Sequence, residues 1–307
     1  MTDATTSSFP PRNRLASLLP DFRLAPRPLS QTAMSQIYLA TETRLHDREV
    51  VVKVMADHLA RDPVYRSRFN REVRLMATLR HPNILNVITA STPDAPLLYV
   101  VTPRADTDLR QLVRTAGPLD PEETLHIVRQ VASALDHAHE HGIVHRDVKP
   151  GNILLLGRER HVYLSDFGIA REIYGEPLTR TGAQVGTPGY LAPELYAGAR
   201  GRSTESAGTL PYDAPRPLPR IDRAGDVYSL GAVLYYCLTG RPAFDAREPV
   251  AVAVAQVETD PRPVSELRPG LGEAVDRVVS RAMARDPRQR YGTCAELVEA
   301  LAEALRA

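Results

Sequence analysis

The segment from His145 to Gly168 constrains the fold and the function of this chain more than any other part of the sequence. It reads HRDVKPGNILLLGRERHVYLSDFG, with the strand-like runs ILLL and HVYL between two polar motifs. An isolated His-Arg-Asp is usually a solvated loop, and an isolated Asp-Phe-Gly is usually a turn. Both motifs in this order, with an asparagine five residues after the first aspartate, favour a functional segment over these alternatives.

Four side chains of this segment match the requirements of phosphoryl transfer from ATP. The reaction needs an acceptor hydroxyl held in line, metal ions on the phosphate oxygens and a cation near the transferred group. We expect Asp147 to accept the hydroxyl proton as the catalytic base and Lys149 to lie near the γ-phosphate. Asn152 and Asp166 provide the hard oxygen ligands that Mg²⁺, or Mn²⁺ in its place, requires.

On these residues the chain resembles a protein kinase, and more narrowly the bacterial branch of the eukaryotic-like Ser/Thr kinases. The narrower resemblance rests on Lys149 and on the downstream motif Gly186-Thr187-Pro188-Gly189-Tyr190, since tyrosine kinases usually differ at both places. It covers residues 22–304 and implies an α+β, two-lobed protein kinase fold. In that fold a small antiparallel-sheet N-lobe with one helix, residues 22–104, precedes a larger, mainly helical C-lobe, residues 105–304.

The hydrophobic pattern agrees with this organisation. Strand-like runs over residues 22–29, 36–42, 49–55, 86–90 and 97–101 predict a five-stranded antiparallel sheet. Helices are predicted to start at Asp62-Pro63 and Asp120-Pro121 and to lie near residues 223–239, 249–258, 272–284 and 293–305. Residues 1–21 lack periodicity and predict a flexible tail, although Leu15, Leu18 and Leu19 could dock on the body.

A lysine and a glutamate in the first half are predicted to form a buried pair. Glu72 lies on the apolar face of the helix that starts at Asp62-Pro63, between Phe69 and Met76, where a carboxylate without a partner is costly. Lys53 alternates with apolar residues in a strand and points toward the same interior. Separately, such residues are more often surface charges, but the kinase resemblance favours the pair, which positions the nucleotide phosphates.

The resemblance implies further nucleotide-binding residues and also exposes departures from the family. The implied residues are Ile37, Val51, Thr102, Arg104 and Leu154, together with Lys53, Glu72, Asn152 and Asp166. The family's glycine-rich phosphate loop corresponds to residues 30–37, SQTAMSQI, in which all three glycines are missing. Val51 replaces a small alanine, Thr102 replaces the usual acid, and Pro103 lacks an amide hydrogen, although the important donor is at Arg104. We therefore expect weaker or slower nucleotide use.

The resemblance also implies control elements. Glu194 of Ala192-Pro193-Glu194 is expected to pair with Arg290, and Asp226 to brace the catalytic loop. Thr179 and Thr181 are expected sites of autophosphorylation whose phosphates pair with Arg146, unless they are simply loop threonines. Thr187 is expected to contact Asp147 and Lys149. A Gly, Ser, Thr and Pro-rich insert near residues 199–220 is predicted to be a solvated linker, or else a docking loop near the substrate site.

Composition limits the other classes of function. With 307 residues and 43% hydrophobic content, the chain has room for one catalytic unit. The net charge of +1 gives no attraction toward nucleic acid or anionic lipid. Two cysteines, Cys237 and Cys294, lie in apolar or amphipathic runs and predict free buried thiols in a reducing compartment. The longest apolar run, Val227 to Leu238, is too short to span a membrane, so we expect a cytoplasmic protein.

These observations favour an active, ATP- and Mg²⁺-dependent protein Ser/Thr kinase that acts in signal transduction on protein substrates and on itself. The alternative is a pseudokinase, a kinase-shaped binding or scaffold module with weak or no turnover, for which the glycine-free loop is the main argument. A kinase for small molecules is less favoured, because Ala192-Pro193-Glu194 and the Gly-Thr-Pro-Gly turn are typical of protein-substrate kinases. The sequence predicts neither the oligomeric state nor the physiological substrate.

Overall fold

The computed structural model describes residues 9–44, 47–167, 189–197, 220–246 and 248–307. Within them the chain forms two compact units. The first unit comprises Met1–Arg80 and Leu85–Ala105, and the second comprises His81–Ile84 and Asp106–Ala307. The main division falls near residue 105, between a sheet-rich unit and a mainly helical unit.

A six-stranded sheet dominates the first unit. Its strands are β1 (Phe22–Leu24), β2 (Ser30–Gln31), β3 (Ser35–Glu42), β4 (Arg48–Met55), β5 (Thr89–Ala90) and β6 (Tyr99–Pro103). The order is β1-β3-β4-β6-β5, β2 pairs with β3, and every pair is antiparallel. Five of the strands confirm the sequence prediction, and β2 was not predicted. Strand β1 ends at Leu24 rather than Leu29, in keeping with Pro26 and Pro28, which cannot donate to a ladder.

The described residues of the first unit contain three helices, of which the first precedes residue 22 and the other two lie in the range where the sequence predicts one. These are α1 (Arg12–Leu18), α2 (Asp57–Arg61) and α3 (Pro63–Thr78). Helix α3 begins as predicted, because the Asp62 carboxylate accepts hydrogen bonds from the amides of Val64 and Tyr65 at 2.8 and 3.2 Å. Pro63 at its first position has no amide that requires a partner.

For the segment predicted to be a flexible tail, the part that the structure describes follows the alternative, in which its leucines dock on the body. Leu15 and Leu19 are fully buried and join the core formed by Phe22, Tyr38 and the valines of β4. The Arg12 guanidinium donates to the carbonyl of Leu24 at 3.1 Å, which ties α1 to β1. Two leucines four residues apart suffice to bury one face of a short helix, and this is the docking that the sequence left open as the alternative to a flexible tail.

The second unit is mainly helical and also holds a small antiparallel sheet. Strands β7 (Thr107–Asp108), β8 (Ile153–Leu156) and β9 (His161–Leu164) pair in that order. The helices are α4 (Leu109–Ala116), α5 (Pro121–Glu140), α6 (Glu194–Ala197), α7 (Arg220–Thr239), α8 (Pro249–Glu258), α9 (Val264–Leu267), α10 (Glu273–Ala282) and α11 (Cys294–Ala304). Single 3₁₀ turns lie at Pro150–Asn152 and Pro287–Gln289.

Helices α5 and α7 form the centre of this unit. Helix α5 is capped by Asp120, whose carboxylate accepts from the amide of Glu122, and it packs against α7 and α11. Cys237 in α7 and Cys294 at the start of α11 are buried free thiols, as predicted. In the part of the chain that the structure describes, no helix is both long and apolar enough to cross a membrane. The insert predicted near residues 199–220 lies almost entirely outside the described residues.

Candidate active site

The segment singled out in the sequence forms a compact cluster in the second unit. Lys149 Nζ lies 2.6 Å from Asp147 Oδ2. The side-chain amide of Asn152 donates to the same carboxylate oxygen at 3.0 Å and to the Asp147 carbonyl at 2.8 Å. Both bonds use Asn152 Nδ2, which leaves the amide oxygen as the group suited to a hard cation. The predicted residues Asp147, Lys149 and Asn152 are therefore brought together by the fold.

A buried histidine connects this cluster to the motif that contains Asp166. His145 is fully buried, its Nδ1 accepts from the amide of Asp147 at 3.2 Å, and its Nε2 lies 2.9 Å from the Ser165 carbonyl. Burial holds the pKa of His145 below its usual value, so the ring is neutral and can both accept and donate. The ring also packs on Phe167, with centroids 4.5 Å apart. His145 thus fixes the catalytic loop against the residues on either side of Asp166.

Hydrogen bonds between Asn152, in the 3₁₀ turn before β8, and Ser165, directly after β9, also connect the catalytic cluster to the Asp166 motif. The Asn152 carbonyl accepts from the amide and the hydroxyl of Ser165, at 2.9 and 3.1 Å. Asp166 follows directly and adopts a left-handed backbone, with φ of 57°. Leu154, predicted to contact the nucleotide, lies in β8 opposite Tyr163 and is half-buried. The two predicted metal ligands are thereby anchored to one another through main-chain bonds.

Asp226 braces the catalytic loop from below, as predicted. Its Oδ2 accepts from the amide of His145 and its Oδ1 accepts from the amide of Arg146, both at 2.8 Å. Arg146 has a left-handed φ of 62°, a conformation that non-glycine residues rarely adopt. Because two charge-assisted bonds fix these consecutive amides, Asp226 offsets the cost of that conformation.

A buried histidine and a second aspartate extend this brace, and the sequence reasoning missed both. His139 on α5 places its Nε2 2.8 Å from Asp226 Oδ2, and its Nδ1 3.8 Å from Asp136 Oδ1. Burial lowers the pKa of His139, but the two carboxylates outweigh burial and raise that pKa to about 9. Burial alone would raise the pKa of Asp226, but the bond from His139 holds it below its usual value. The only local indication of this contact in the sequence was the i,i+3 spacing of Asp136 and His139, which places both side chains on one face of α5.

The predicted pair between Glu194 and Arg290 is confirmed and is bidentate. Both guanidinium nitrogens Nη1 and Nη2 lie 2.7 Å from a carboxylate oxygen of Glu194. Arg290 is fully buried and also donates to the carbonyls of Ala224 and Ala284, at 2.9 and 2.7 Å. The segment ending in Ala192-Pro193-Glu194 is therefore fastened to the helical unit.

Most of the predicted nucleotide residues of the first unit lie on one face of its sheet. Ile37 is directly opposite Lys53, and Val51 is directly opposite Thr102. Directly paired residues point to the same side, and so do residues two apart on a strand, so these four side chains share a half-buried face. The opposite face carries Val50, Val52 and Val54, which are fully buried in the core.

Glu72 and Arg104, the other two predicted nucleotide residues of the first unit, lie outside the sheet strands. Glu72 lies on α3 between the buried residues Phe69 and Met76 and is itself half-buried. Arg104 follows β6, and its guanidinium lies 2.6 Å from Glu49 Oε2 at the surface. The proposed ion pair between Lys53 and Glu72 stays a prediction.

The glycine-free loop has a structure that the sequence did not predict. Thr32 Oγ1 accepts from the amides of Met34 and Ser35, at 3.2 and 3.1 Å. The Thr32 amide in turn donates to the Ser35 carbonyl at 2.9 Å. The threonine side chain thus satisfies backbone amides that glycine would leave without a side-chain partner. The predicted phosphorylation sites Thr179 and Thr181, together with Thr187, lie outside the described residues, and their predicted partner Arg146 has an exposed side chain.

Comparison with known proteins decides the family. The model of the protein kinase domain matches residues 27–204, more than half of the chain. The chain belongs to the protein kinase family. The kinase PknB of Mycobacterium tuberculosis is 42% identical over 270 residues, which cover 86% of this chain and 40% of PknB. The kinase PknE of the same species is 38% identical over 279 residues, covering 91% of this chain and 45% of PknE.

Solved kinase structures agree with this assignment. The crystal structure of the M. tuberculosis PknI kinase domain has a TM-score of 0.66 at 31% identity and covers 92% of this chain and 96% of that one. The crystal structure of Rad53 in complex with AMP-PNP has a TM-score of 0.69 at 22% identity, which shows the fold alone. The fold is the protein kinase fold, as predicted. This kinase chain spans about two-fifths of the length of PknB.

The residues present fit the cofactors that protein kinases use, ATP and a divalent metal ion. The second unit offers the amide oxygen of Asn152 and the carboxylate of Asp166 as oxygen ligands, with Lys149 as a cation for phosphate. The first unit offers Lys53 on a half-buried sheet face with apolar neighbours, which suits a phosphate and a flat aromatic base.

Proposed function

We propose that this chain is a protein serine/threonine kinase that transfers the γ-phosphate of ATP to Ser and Thr hydroxyls of protein substrates. The observation that carries the proposal is the hydrogen-bonded cluster of Asp147, Lys149 and Asn152, fixed to the Asp166 motif. Its similarity to PknB and PknE supports the class of substrate. A binding module has no physical need for this full set of charged groups in one place.

Asp147 is the proposed catalytic base. Its carboxylate accepts from Lys149 and Asn152, so both donors limit its rotation and orient it toward an acceptor hydroxyl. Taking the hydroxyl proton as the bond to phosphorus forms makes the serine or threonine oxygen a better nucleophile. The lysine ammonium then stabilises the negative charge on the transferred phosphoryl group.

Asn152 and Asp166 are the proposed ligands of Mg²⁺ or Mn²⁺. The bound ion supplies charge neutralisation on the phosphate oxygens. The protein's own contribution is rigidity, since Ser165 bonds the Asn152 carbonyl and its own carbonyl bonds His145. A rigid pair of ligands avoids the cost of ordering them when the metal and nucleotide arrive.

Lys53, Glu72, Ile37, Val51, Thr102, Arg104 and Leu154 are the proposed nucleotide-binding residues. Within the first unit, the shared sheet face of Ile37, Val51, Lys53 and Thr102 supports this assignment. Lys53 would hold the α- and β-phosphates with Glu72 as its counterion, and the apolar residues would contact the base.

We also propose that the chain autophosphorylates at Thr179 and Thr181. A phosphate at either position carries about two negative charges and would pair with Arg146, whose side chain is exposed. Because the main chain of Arg146 is held by Asp226, such a pair would couple phosphorylation to the catalytic loop.

The proposed location is the cytoplasm, and the proposed partners are proteins, not nucleic acid or membrane. Buried free thiols at Cys237 and Cys294 suit a reducing compartment. A net charge of +1 provides no general attraction to polyanions.

Transfer of labelled γ-phosphate from Mg²⁺-ATP tests the function. The purified chain is incubated alone and with a generic basic protein, beside an Asp147→Asn variant of the same thermal stability. We expect label on the basic protein and on Thr179 or Thr181 with the wild type only. Absence of transfer at millimolar ATP from folded wild type would replace this proposal with a pseudokinase that acts by binding.

A further inference from the structure

Three side chains of metal-ligand type meet in the second unit, away from the proposed active-site residues. They are Asp136 and His139 of α5 and Cys294 at the first position of α11. One potential ligand atom from each, a carboxylate oxygen, a ring nitrogen and a thiol sulfur, lies within 4.8 Å of the other two. In the part of the chain that the structure describes, no other group of three such residues is this close.

His139 directs an unsatisfied nitrogen into this cluster. The residue is 1% exposed, and its Nδ1 is buried without a hydrogen-bond partner. The separation of 3.8 Å between Nδ1 and Asp136 Oδ1 is too long for a hydrogen bond. His139 Nδ1 therefore has a long ionic contact with Asp136 but no hydrogen bond, and a metal ion between the two groups would satisfy both.

We propose that Asp136, His139 and Cys294 bind one Zn²⁺ ion. Nitrogen, oxygen and sulfur ligands together suit this borderline-soft ion better than Mg²⁺ or Ca²⁺. Zn²⁺ lies about 2.0–2.2 Å from nitrogen and oxygen ligands, and a tetrahedral angle then separates the two by about 3.3–3.5 Å. The observed separation of 3.8 Å between nitrogen and oxygen is a few tenths of an ångström longer, so the two side chains would move slightly closer when the ion binds.

The surroundings of the three ligands are those of a metal site. The other nitrogen of His139 bonds the Asp226 carboxylate at 2.8 Å, an arrangement that orients metal-binding histidines. The Asp136 oxygens accept from the amides of Cys294 and Ala295, at 3.0 and 2.8 Å, which fixes the carboxylate beside the thiol. Two of the three ligands are thereby held in place before any ion arrives.

An open groove borders the proposed site at Asp136, and we expect the ion and a water as fourth ligand to enter from it. The groove has a volume of about 550 Å³, and Asp136 and Ala295 are among its lining residues. His139 and Cys294 are almost completely buried and do not line the groove. Three protein ligands with one position open to solvent is a common zinc arrangement.

Zinc binding leaves the net charge of the three-residue cluster unchanged, because protons leave as the ion enters. A histidine binds a metal ion through a ring nitrogen that carries no proton, and a cysteine binds it as the thiolate, so His139 Nδ1 and the Cys294 sulfur must both be free of protons in the zinc form. Binding replaces the proton on Nδ1 and the thiol proton with Zn²⁺, and both protons leave to solvent. The loss of two protons removes two positive charges, and the Zn²⁺ ion adds two, so the net charge of the site is the same before and after binding.

Cobalt substitution tests the site directly. The full chain is stripped with a chelator and titrated with Co²⁺, whose thiolate complexes absorb in the near ultraviolet. We expect one equivalent of Co²⁺ to produce a thiolate-to-metal band, one equivalent of Zn²⁺ to abolish it, and Zn²⁺ to raise the Tm by about 5 °C at 100-fold excess over Kd.

Variants make the test specific. Cys294→Ala should lose the band and the Tm shift, whereas Cys237→Ala, at the other buried free cysteine, should keep both. Asp136→Asn should keep the band and weaken Co²⁺ binding by at least tenfold, and circular dichroism checks that each variant is folded. A wild type without the band, or a band that survives Cys294→Ala, would overturn the proposal. These readouts do not depend on kinase activity.

Discussion

Lys149 Nζ and Asp147 Oδ2 are 2.6 Å apart, so the ammonium forms a charge-assisted hydrogen bond to the proposed catalytic base. Both side chains are about three-quarters buried, at 24% and 22% exposed, so water screens the pair only in part. The lysine therefore holds the carboxylate in one orientation and adds positive charge where phosphoryl transfer needs it.

Lys149→Ala should lower kcat by about 10²–10³-fold with little change in the KM for ATP, because the lysine stabilises charge in the transition state. Steady-state kinetics with a peptide substrate measures this. Arg158→Ala, which removes an exposed cation from the turn between β8 and β9, is the matched control and should leave kcat unchanged. A Lys149→Ala enzyme with wild-type kcat would remove the lysine from the mechanism.

Arg290→Lys should destabilise the protein by about 3 kcal/mol, because lysine cannot replace the bidentate bond to Glu194 together with the bonds to buried carbonyls. Urea unfolding at constant pH gives the value. Arg262→Lys changes an exposed pair with Glu266 and should cost less than about 0.5 kcal/mol. Equal losses in the two variants would contradict a special role for the buried pair.

Asp226→Asn should lower kcat at least tenfold while changing the KM for ATP less than threefold. An asparagine has one acceptor oxygen, so its NH₂ group would face the amide of either His145 or Arg146 and release the catalytic loop. Kinetics and thermal unfolding measured together separate loop release from general unfolding. A variant with a wild-type kcat would show that the brace is dispensable.

Leu15→Ala should destabilise the protein by about 2–5 kcal/mol, since Leu15 is fully buried in the core beneath the sheet. Leu29→Ala makes the same change at a side chain that is 63% exposed and should have an effect below about 0.5 kcal/mol. Chemical unfolding of both variants checks the docking of α1. If Leu15→Ala is as stable as the wild type, the first helix does not contribute to the core.

Thr32→Gly should lower the KM for ATP several-fold. Removing the hydroxyl releases the amides of Met34 and Ser35 and makes them available to phosphate oxygens, as glycine does in related loops. Initial rates over a range of ATP concentrations measure the effect, with Ser30→Gly as the control in the same loop. An unchanged or raised KM would show that the threonine does not limit nucleotide binding.

Local sequence predicted much of this protein correctly, for identifiable reasons. Asp62-Pro63 and Asp120-Pro121 marked helix starts because capping depends on a few neighbouring residues. The alternation around Lys53 revealed a strand whose two faces differ in burial. The catalytic segment was found because Asp147, Lys149 and Asn152 act together across one short loop, so their spacing is preserved in the sequence.

The contacts between distant segments were decided by the tertiary structure. Asp226 meets His139 across 87 residues, and Asp136 meets the amide of Cys294 across 158, so no local pattern connects them. The short α1 gains its stability from burying Leu15 and Leu19 in a core that other strands provide. Periodicity and caps act within a few turns or strands of the chain, whereas a buried polar partner depends on which elements pack together. The sequence therefore determined the chemistry of the catalytic loop and, through the kinase resemblance, its brace Asp226, whereas tertiary packing determined that His139 and Asp136 support that brace.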